Sequence, residues 1–162
     1  MRTIALGLAV LGLAAAASAA DYQLKNTVKA HKELVVRGYF NVEGSSCEST
    51  GVVEIDLNIP PKGGIVCMRS GIVRVENIWS GKYQNCIGKR ISGVNVIYIP
   101  FRRFIGLDTM LYTVTTRGQQ SSMTRTYEVE INVEAGGAAG ASSAPSEPQQ
   151  EGPMPVCPAL VS

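Results

Sequence analysis

Hydrophobic and polar residues alternate with a period of two in the middle of this chain. The run VVEIDLNI, residues 52–59, places Val53, Ile55, Leu57 and Ile59 on one side and Glu54, Asp56 and Asn58 on the other. A second run, TRTYEVEINVE, places Tyr127, Val129, Ile131 and Val133 on one side. This period is the mark of a β-strand with one buried and one solvated face.

Shorter apolar runs extend the pattern over 33–42, 65–78, 93–100 and 109–118. Glycine, proline and serine clusters separate them, as expected for turns, and Gly71 inside the second run suggests a bulge or a corner. Residues 21–32 are polar and predict a mobile lead-in or a first edge strand. With six or seven short strands and no useful helical period, we expect an all-β sandwich or barrel.

The two ends of the chain have a different composition. Residues 1–20 carry one charge, Arg2, then an apolar run and small residues, in the order of a secretory signal peptide. The apolar run is shorter than the ~20 residues that span a bilayer. Residues 135–162 are rich in Gly, Ala, Ser and Pro and predict a disordered tail. We therefore predict one folded domain, 21–134, exported to a bacterial periplasm or the cell exterior, with no membrane span after signal cleavage.

Four cysteines follow the signal segment: Cys47, Cys67, Cys86 and Cys157. Export favours disulfides, and four cysteines allow three pairings. Cys47 and Cys86 each precede a strand, which favours a bridge between them. Cys67 would then pair with Cys157 or remain separate, and Cys157 could tether the tail, join another molecule or stay reduced. Metal sites typically contain a close pair of cysteines together with histidines, and the sequence lacks this pattern. We therefore expect no metal and no cofactor.

The segment FIGLDTMLYTV, residues 104–114, has the features of a corner between two sheets. A tyrosine at such a corner buries its ring while its hydroxyl bonds to upstream backbone, which is the role expected of Tyr112. Asp108 is expected to cap the turn by accepting backbone donors.

The stretch 98–133 resembles the C-terminal half of bacterial immunoglobulin-like and cadherin-like modules. The shared features are Tyr98 and Pro100 as Y-x-P, residues 104–108 as F-x-G-x-D, and 112–114 as Y-x-V. The resemblance implies an immunoglobulin-like Greek-key sandwich of about seven strands and is nearly silent on function. Calcium binding is not implied, because the Asp-rich signature of cadherins is missing.

The residue types in this sequence argue against catalysis and against nucleic-acid binding. His31 is the single histidine, so a base for a Ser or Cys nucleophile is hard to supply. Copper sites of the cupredoxin kind need two histidines. The net charge of +2 is too small to argue for nucleic acid or an anionic membrane as an obligatory partner. We expect that the protein is not an enzyme.

Once catalysis and nucleic-acid binding are set aside, we expect the protein to bind an unidentified protein partner. Trp79 and Tyr83 lie in a long connection, 77–92, and Arg102 and Arg103 lie at the corner. Trp, Tyr and Arg are enriched at binding hot spots, although the same residues also serve as end plugs or solvated surface. The sequence favours an exported interaction or structural module. The alternative is an accessory or inhibitor domain that acts on an exported hydrolase through the loop 81–88.

Overall fold

The computed structural model describes residues 20–42, 47–49, 51–76, 81–118, 122–136 and 149–158. Within these ranges the chain forms eight strands and one short 3₁₀ segment, Gly81–Cys86. The strands are β1 (Tyr22–Lys29), β2 (Leu34–Tyr39), β3 (Val52–Ile59), β4 (Gly64–Arg74), β5 (Arg90–Pro100), β6 (Gly106–Arg117), β7 (Ser122–Glu134) and β8 (Gly152–Pro153).

The strands form two sheets that pack face to face. One sheet has the order β1-β7-β6-β3-β8 and the other β2-β5-β4. The protein is thus an all-β sandwich, as the sequence predicts.

The first strand joins the sandwich through the last long one. β1 runs parallel to β7, with Tyr22 opposite Tyr127 and Lys29 opposite Glu134. The polar lead-in is therefore an edge strand, the second of its two predicted forms. Within the described residues β7 is the only strand partner of β1, so β1 joins the sheet only when residues 22–29 and 127–134 meet.

Alternation predicts the buried face of a strand correctly where the strand keeps a regular register with its neighbouring strands. Tyr127, Val129, Ile131 and Val133 are all buried on β7. On β3, Ile55 and Leu57 are buried, but Ile59 is 52% exposed. The prediction for Ile59 is wrong because the register with β6 shifts between Leu57 and Ile59, which turns the last residue outward.

Gly71 does not break β4. It stands opposite Gly93 in a pairing with β5 that runs without a shift from Gly64 to Arg74. The predicted bulge or corner is wrong. Gly71 occupies a regular position of the strand, and the residues on either side of it maintain the register with β5.

The main core lies between the sheets and includes Leu57, Val66, Val96, Tyr98, Met110, Tyr112, Val129, Ile131 and Met154. A second cluster, Ile65, Cys67, Ile97 and Ile99, occupies the opposite face of β4 and β5, with Phe101 and Cys157 packed against it. These two strands are thus buried on both faces over part of their length. That explains their continuous apolar runs.

The C-terminal segment 149–158, which we call the strap, docks on the sandwich. Its strand β8 pairs with β3, and Val156 forms a bridge with Met68 of β4. Disorder is predicted for all of 135–162, and for the strap this prediction is wrong, because Met154 and Cys157 anchor it to the sandwich. Residues 137–148 and 159–162 lie outside the described residues.

The favoured Cys47–Cys86 bridge is confirmed, and of the two outcomes left open for Cys67 the structure shows the pairing with Cys157. Cys47 bonds to Cys86, and Cys67 bonds to Cys157, with sequence separations of 39 and 90. The first ties the chain before β3 to the 3₁₀ segment. The second tethers the strap to β4, so of the three roles left open for Cys157 the structure shows the tether.

Candidate interaction surface

Asp108 organises the end of the sandwich at which β3, β5 and β6 meet. Its carboxylate accepts hydrogen bonds from the backbone N–H groups of Lys62 (2.9 Å), Gly63 (2.8 Å) and Thr109 (3.0 Å). The Tyr98 hydroxyl donates a fourth bond at 2.7 Å. Asp108 is only 4% exposed, so this carboxylate holds together β6, β5 and the β3–β4 connection. Asp108 accepts backbone donors as predicted, but its two turn donors belong to the β3–β4 connection, whereas the local donor, Thr109, lies within β6.

The corner tyrosine uses a side-chain partner. The Tyr112 hydroxyl lies 2.6 Å from the Tyr39 hydroxyl, and both rings are buried. The bond joins β6 in one sheet to β2 in the other. The predicted bond from Tyr112 to upstream backbone is therefore corrected: the ring is buried as expected, but Tyr39 of the facing sheet is its partner.

Burial affects the acid–base behaviour of these rings. It raises the pKa of Tyr98 well above its ordinary value, and the hydrogen bond to Asp108 raises it further. It also raises the pKa of Tyr39 and of Tyr112 far above the usual range. The hydroxyls stay protonated at neutral pH: that of Tyr98 donates to Asp108, and in the Tyr39–Tyr112 pair one hydroxyl donates and the other accepts.

Five exposed residues surround this anchored corner, and we call them the corner patch: Lys62, Arg102, Arg103, Ile105 and Leu107. Ile105 is 61% exposed and Leu107 is 60% exposed. The backbone beneath them is fixed, because the Phe101 N–H donates to the Gly63 carbonyl at 2.8 Å and the Phe104 N–H to the Phe101 carbonyl at 3.0 Å. The corner patch thus combines three cations and two apolar side chains on a well-supported turn.

The residues proposed from the sequence do not form one surface. Arg102 and Arg103 follow β5, whereas Tyr83 lies in the 3₁₀ segment that precedes it. The 11 residues of β5 separate them by about 35 Å at the rise of an antiparallel strand. Tyr83 is half-buried, and Trp79 lies outside the described residues.

The exposed apolar side chains at the corner are the feature that sequence reasoning missed. Ile105 and Leu107 lie next to Asp108, and alternation alone marks Leu107 as facing away from the core. That signal was available, because residues 107 and 109 must share a face if Asp108 and Met110 point inward.

A separate open cleft of about 520 Å³ lies at the far end of the sandwich. Ser49, Ser70, Ser92, Gly51, Gly71 and Gly93 line it together with Val53, Ile72 and Val94. Among the residues that the structure describes there, small side chains dominate the lining and none is charged.

The described ranges hold no group of three or more His, Cys, Asp or Glu residues placed to bind a metal ion. His31 lies half-buried in the turn after β1, with a φ of 66°. Among the same residues, no helix is both long and apolar enough to cross a membrane.

The structure places this protein in the class of all-β sandwiches, and comparisons with known proteins do not narrow this class further. No family model, no curated protein and no solved structure matches this chain.

Proposed function

We propose that this protein is an exported, non-enzymatic interaction module that binds a protein partner through the corner patch. The observation that carries the proposal is the exposure of Ile105 and Leu107 beside Arg102 and Arg103. Protein interfaces have an apolar centre and a polar rim, and arginine is among the residues enriched at their hot spots.

The rigidity of the corner supports this proposal. Asp108 fixes the backbone on both sides of the corner patch, so little conformational entropy is lost when a partner docks. Lys62, Arg102 and Arg103 give the patch a positive charge. The partner should therefore present an acidic rim around an apolar contact, which would also accelerate association at low salt.

Two disulfides are consistent with export, because disulfides persist in oxidising compartments. Of the predicted signal segment 1–20, residues 1–19 lie outside the described residues. Export remains part of the proposal and rests on the sequence pattern together with these two bridges.

The test is affinity capture by the mature protein from an envelope extract of its native host, with quantitative identification of the retained proteins. We expect one partner to be lost when Arg102→Ser is combined with Arg103→Ser, and again when Ile105→Ser is combined with Leu107→Ser. The control pair, Arg74→Ser with Arg90→Ser, removes two exposed arginines that stand opposite each other at the other end of β4 and β5. The proposal fails if no protein is enriched, or if both arginine pairs have the same effect.

The alternative, an inhibitor of an exported hydrolase, is favoured by the loop after the 3₁₀ segment. Cys86 anchors that loop to Cys47, and Ile87 is 49% exposed beside it. A constrained loop with a protruding apolar residue is suited to enter an enzyme cleft. In the same capture experiment, Ile87→Ser would then release a hydrolase while the corner variants retain it.

A further inference from the structure

The strap fills a cleft between the exposed edges of the two sheets. On one side the Met154 N–H donates to the Ile55 carbonyl of β3 at 2.8 Å. On the other side the Met68 N–H of β4 donates to the Pro155 carbonyl at 2.8 Å, and the Cys157 N–H donates to the Met68 carbonyl at 2.9 Å. One extended segment thus bonds to both sheets.

Two side chains of the strap occupy specific positions in this cleft. Met154 is 1% exposed and belongs to the main core. The Gln149 carboxamide accepts from the Val66 N–H at 2.6 Å and donates to the Val66 carbonyl at 2.6 Å. Its amide therefore completes the β4 edge in the way that a strand backbone would.

These contacts are those of strand addition, in which an extended peptide gains affinity from backbone bonds to a sheet edge and specificity from side-chain pockets. Proline flanks the anchor on both sides, at Pro153 and Pro155. Since proline has no N–H, the strap adds few donors of its own to extend the sheet further. The cleft therefore suits a short terminal peptide better than a continuing strand.

We propose that the cleft between β3 and β4 is a peptide-binding site for an extended segment with a flexible apolar anchor, and that the strap is its ligand in cis. This inference does not depend on the corner patch. The Cys67–Cys157 bridge holds the strap in place, and tethering alone gives a cis segment a millimolar effective concentration. A peptide in trans can enter only when the bridge is absent and the strap is displaced.

The experiment uses a full-length mature chain with Cys67→Ser, Cys157→Ser and Met154→Asp, the open variant. Its strap cannot fill the cleft, because an aspartate would have to be buried among apolar side chains. The probe is a fluorescent synthetic peptide of residues 149–158 with Cys157→Ser. The matched control peptide carries Met154→Asp as well. Binding is measured by fluorescence anisotropy, and folding by circular dichroism.

We expect the open variant to bind the probe at least tenfold more tightly than the control peptide, because burial of one methionine is worth that factor or more. The wild-type protein with both disulfides should bind neither. A folded open variant that does not bind the probe, or that binds the two peptides equally, overturns the proposal.

If the open variant does not fold alone, it is refolded with each peptide. Recovery of the β-sheet spectrum with the probe but not with the control supports the site, and recovery with neither overturns it. Mixing the open variant with a chain that carries only Cys67→Ser and Cys157→Ser tests the source of the peptide. A dimer in light scattering identifies a second copy as donor, whereas monomers together with probe binding restrict the site to short peptides.

Discussion

Asp108 is the buried carboxylate of the sandwich, and its four donors come from three different segments. Two of those donors, the N–H groups of Lys62 and Gly63, belong to the turn between β3 and β4. A third is the hydroxyl of Tyr98 in the facing sheet. A buried carboxylate with this many donors is well compensated, but the loss of its acceptor capacity leaves several donors without a partner.

We expect Asp108→Asn to destabilise the fold by about 3 kcal/mol, because the amide NH₂ of asparagine would face donors that now point at an oxygen. The measurement is the free energy of unfolding from urea titration. Asp56→Asn is the matched control, since Asp56 is exposed on β3 and its change should stay within about 0.5 kcal/mol. Equal effects of the two variants would show that the four bonds do not stabilise the fold.

For single residues, the sequence predicts the kind of role that a side chain has better than it predicts the hydrogen-bond partner of that side chain. The motif around Asp108 and Tyr112 indicates a capping carboxylate and a buried tyrosine, and both are present. Lys62 and Gly63 lie 46 and 45 residues before Asp108 in the chain, and Tyr39 lies 73 residues before Tyr112. Sequence spacing carries no information about contacts of that range, since they depend on how the two sheets are aligned.

Among the strands, alternation is informative when one face is wet and one is dry. β3 and β7 meet that condition, and their bounds agree closely with the predicted runs. β4 and β5 do not, because the cluster of Ile65, Cys67, Ile97 and Ile99 buries their second face. The strap could not be predicted from composition, as ten residues with one core side chain resemble a disordered tail.

The glycines of β4 differ sharply in what surrounds them, and this leads to a prediction for the strand. A Cβ at Gly64 would lie 2.6 Å from the Ile99 carbonyl oxygen and 2.7 Å from the Tyr98 ring. We expect Gly64→Ala to cost about 2 kcal/mol, since backbone must move to relieve the contact. At Gly71 the nearest atom is the flexible Asn95 amide nitrogen at 3.2 Å, so Gly71→Ala should be close to neutral.

Urea unfolding of the two variants compares the same substitution in the same strand. A similar cost at both positions would mean that the loss of glycine itself, and not crowding at the Tyr98 end, determines the stability of β4.

Across the whole molecule, every sheet edge within the described residues is protected. The strap covers β3 and β4. β1 carries Lys25 and Lys29 on its exposed positions, and β2 has a register shift next to Arg37. Charges and bulges at edges hinder pairing with other chains. The fold class is predictable from the sequence because it depends on strand number and alternation. The strap's cover over the edges of β3 and β4 is not, because it depends on the pairing of Cys67 with Cys157.

Buried tyrosines in both sheets make the whole fold sensitive to alkali. Burial raises the pKa of Tyr39, Tyr98, Tyr112 and Tyr127 above 10.0 in the folded protein, whereas the unfolded chain keeps the ordinary value. Their contribution to stability is fully present below pH 10 and falls as the pH rises above it, because only the unfolded state then loses protons. Each tyrosine contributes up to about 1.4 kcal/mol per pH unit.

We therefore expect the free energy of unfolding to be steady around pH 8 and to decrease steeply above pH 10, with a shallower slope in Tyr39→Phe. Denaturant titrations between pH 8 and 11.5 provide the measurement, with tyrosinate absorbance reporting ionisation. Ionisation of all six tyrosines near pH 10 without unfolding would contradict the prediction.

The parallel pairing of β1 with β7 sets the order in which this protein can assemble. Residue 22 pairs with residue 127, so in a chain emerging from the ribosome β1 has no partner in this sheet until residues 127–134 have been made. Such distant pairing slows folding, because a large loop must close before any contact rewards it. Such a delay suits the export that we propose, because a secretion channel takes up chains before they fold.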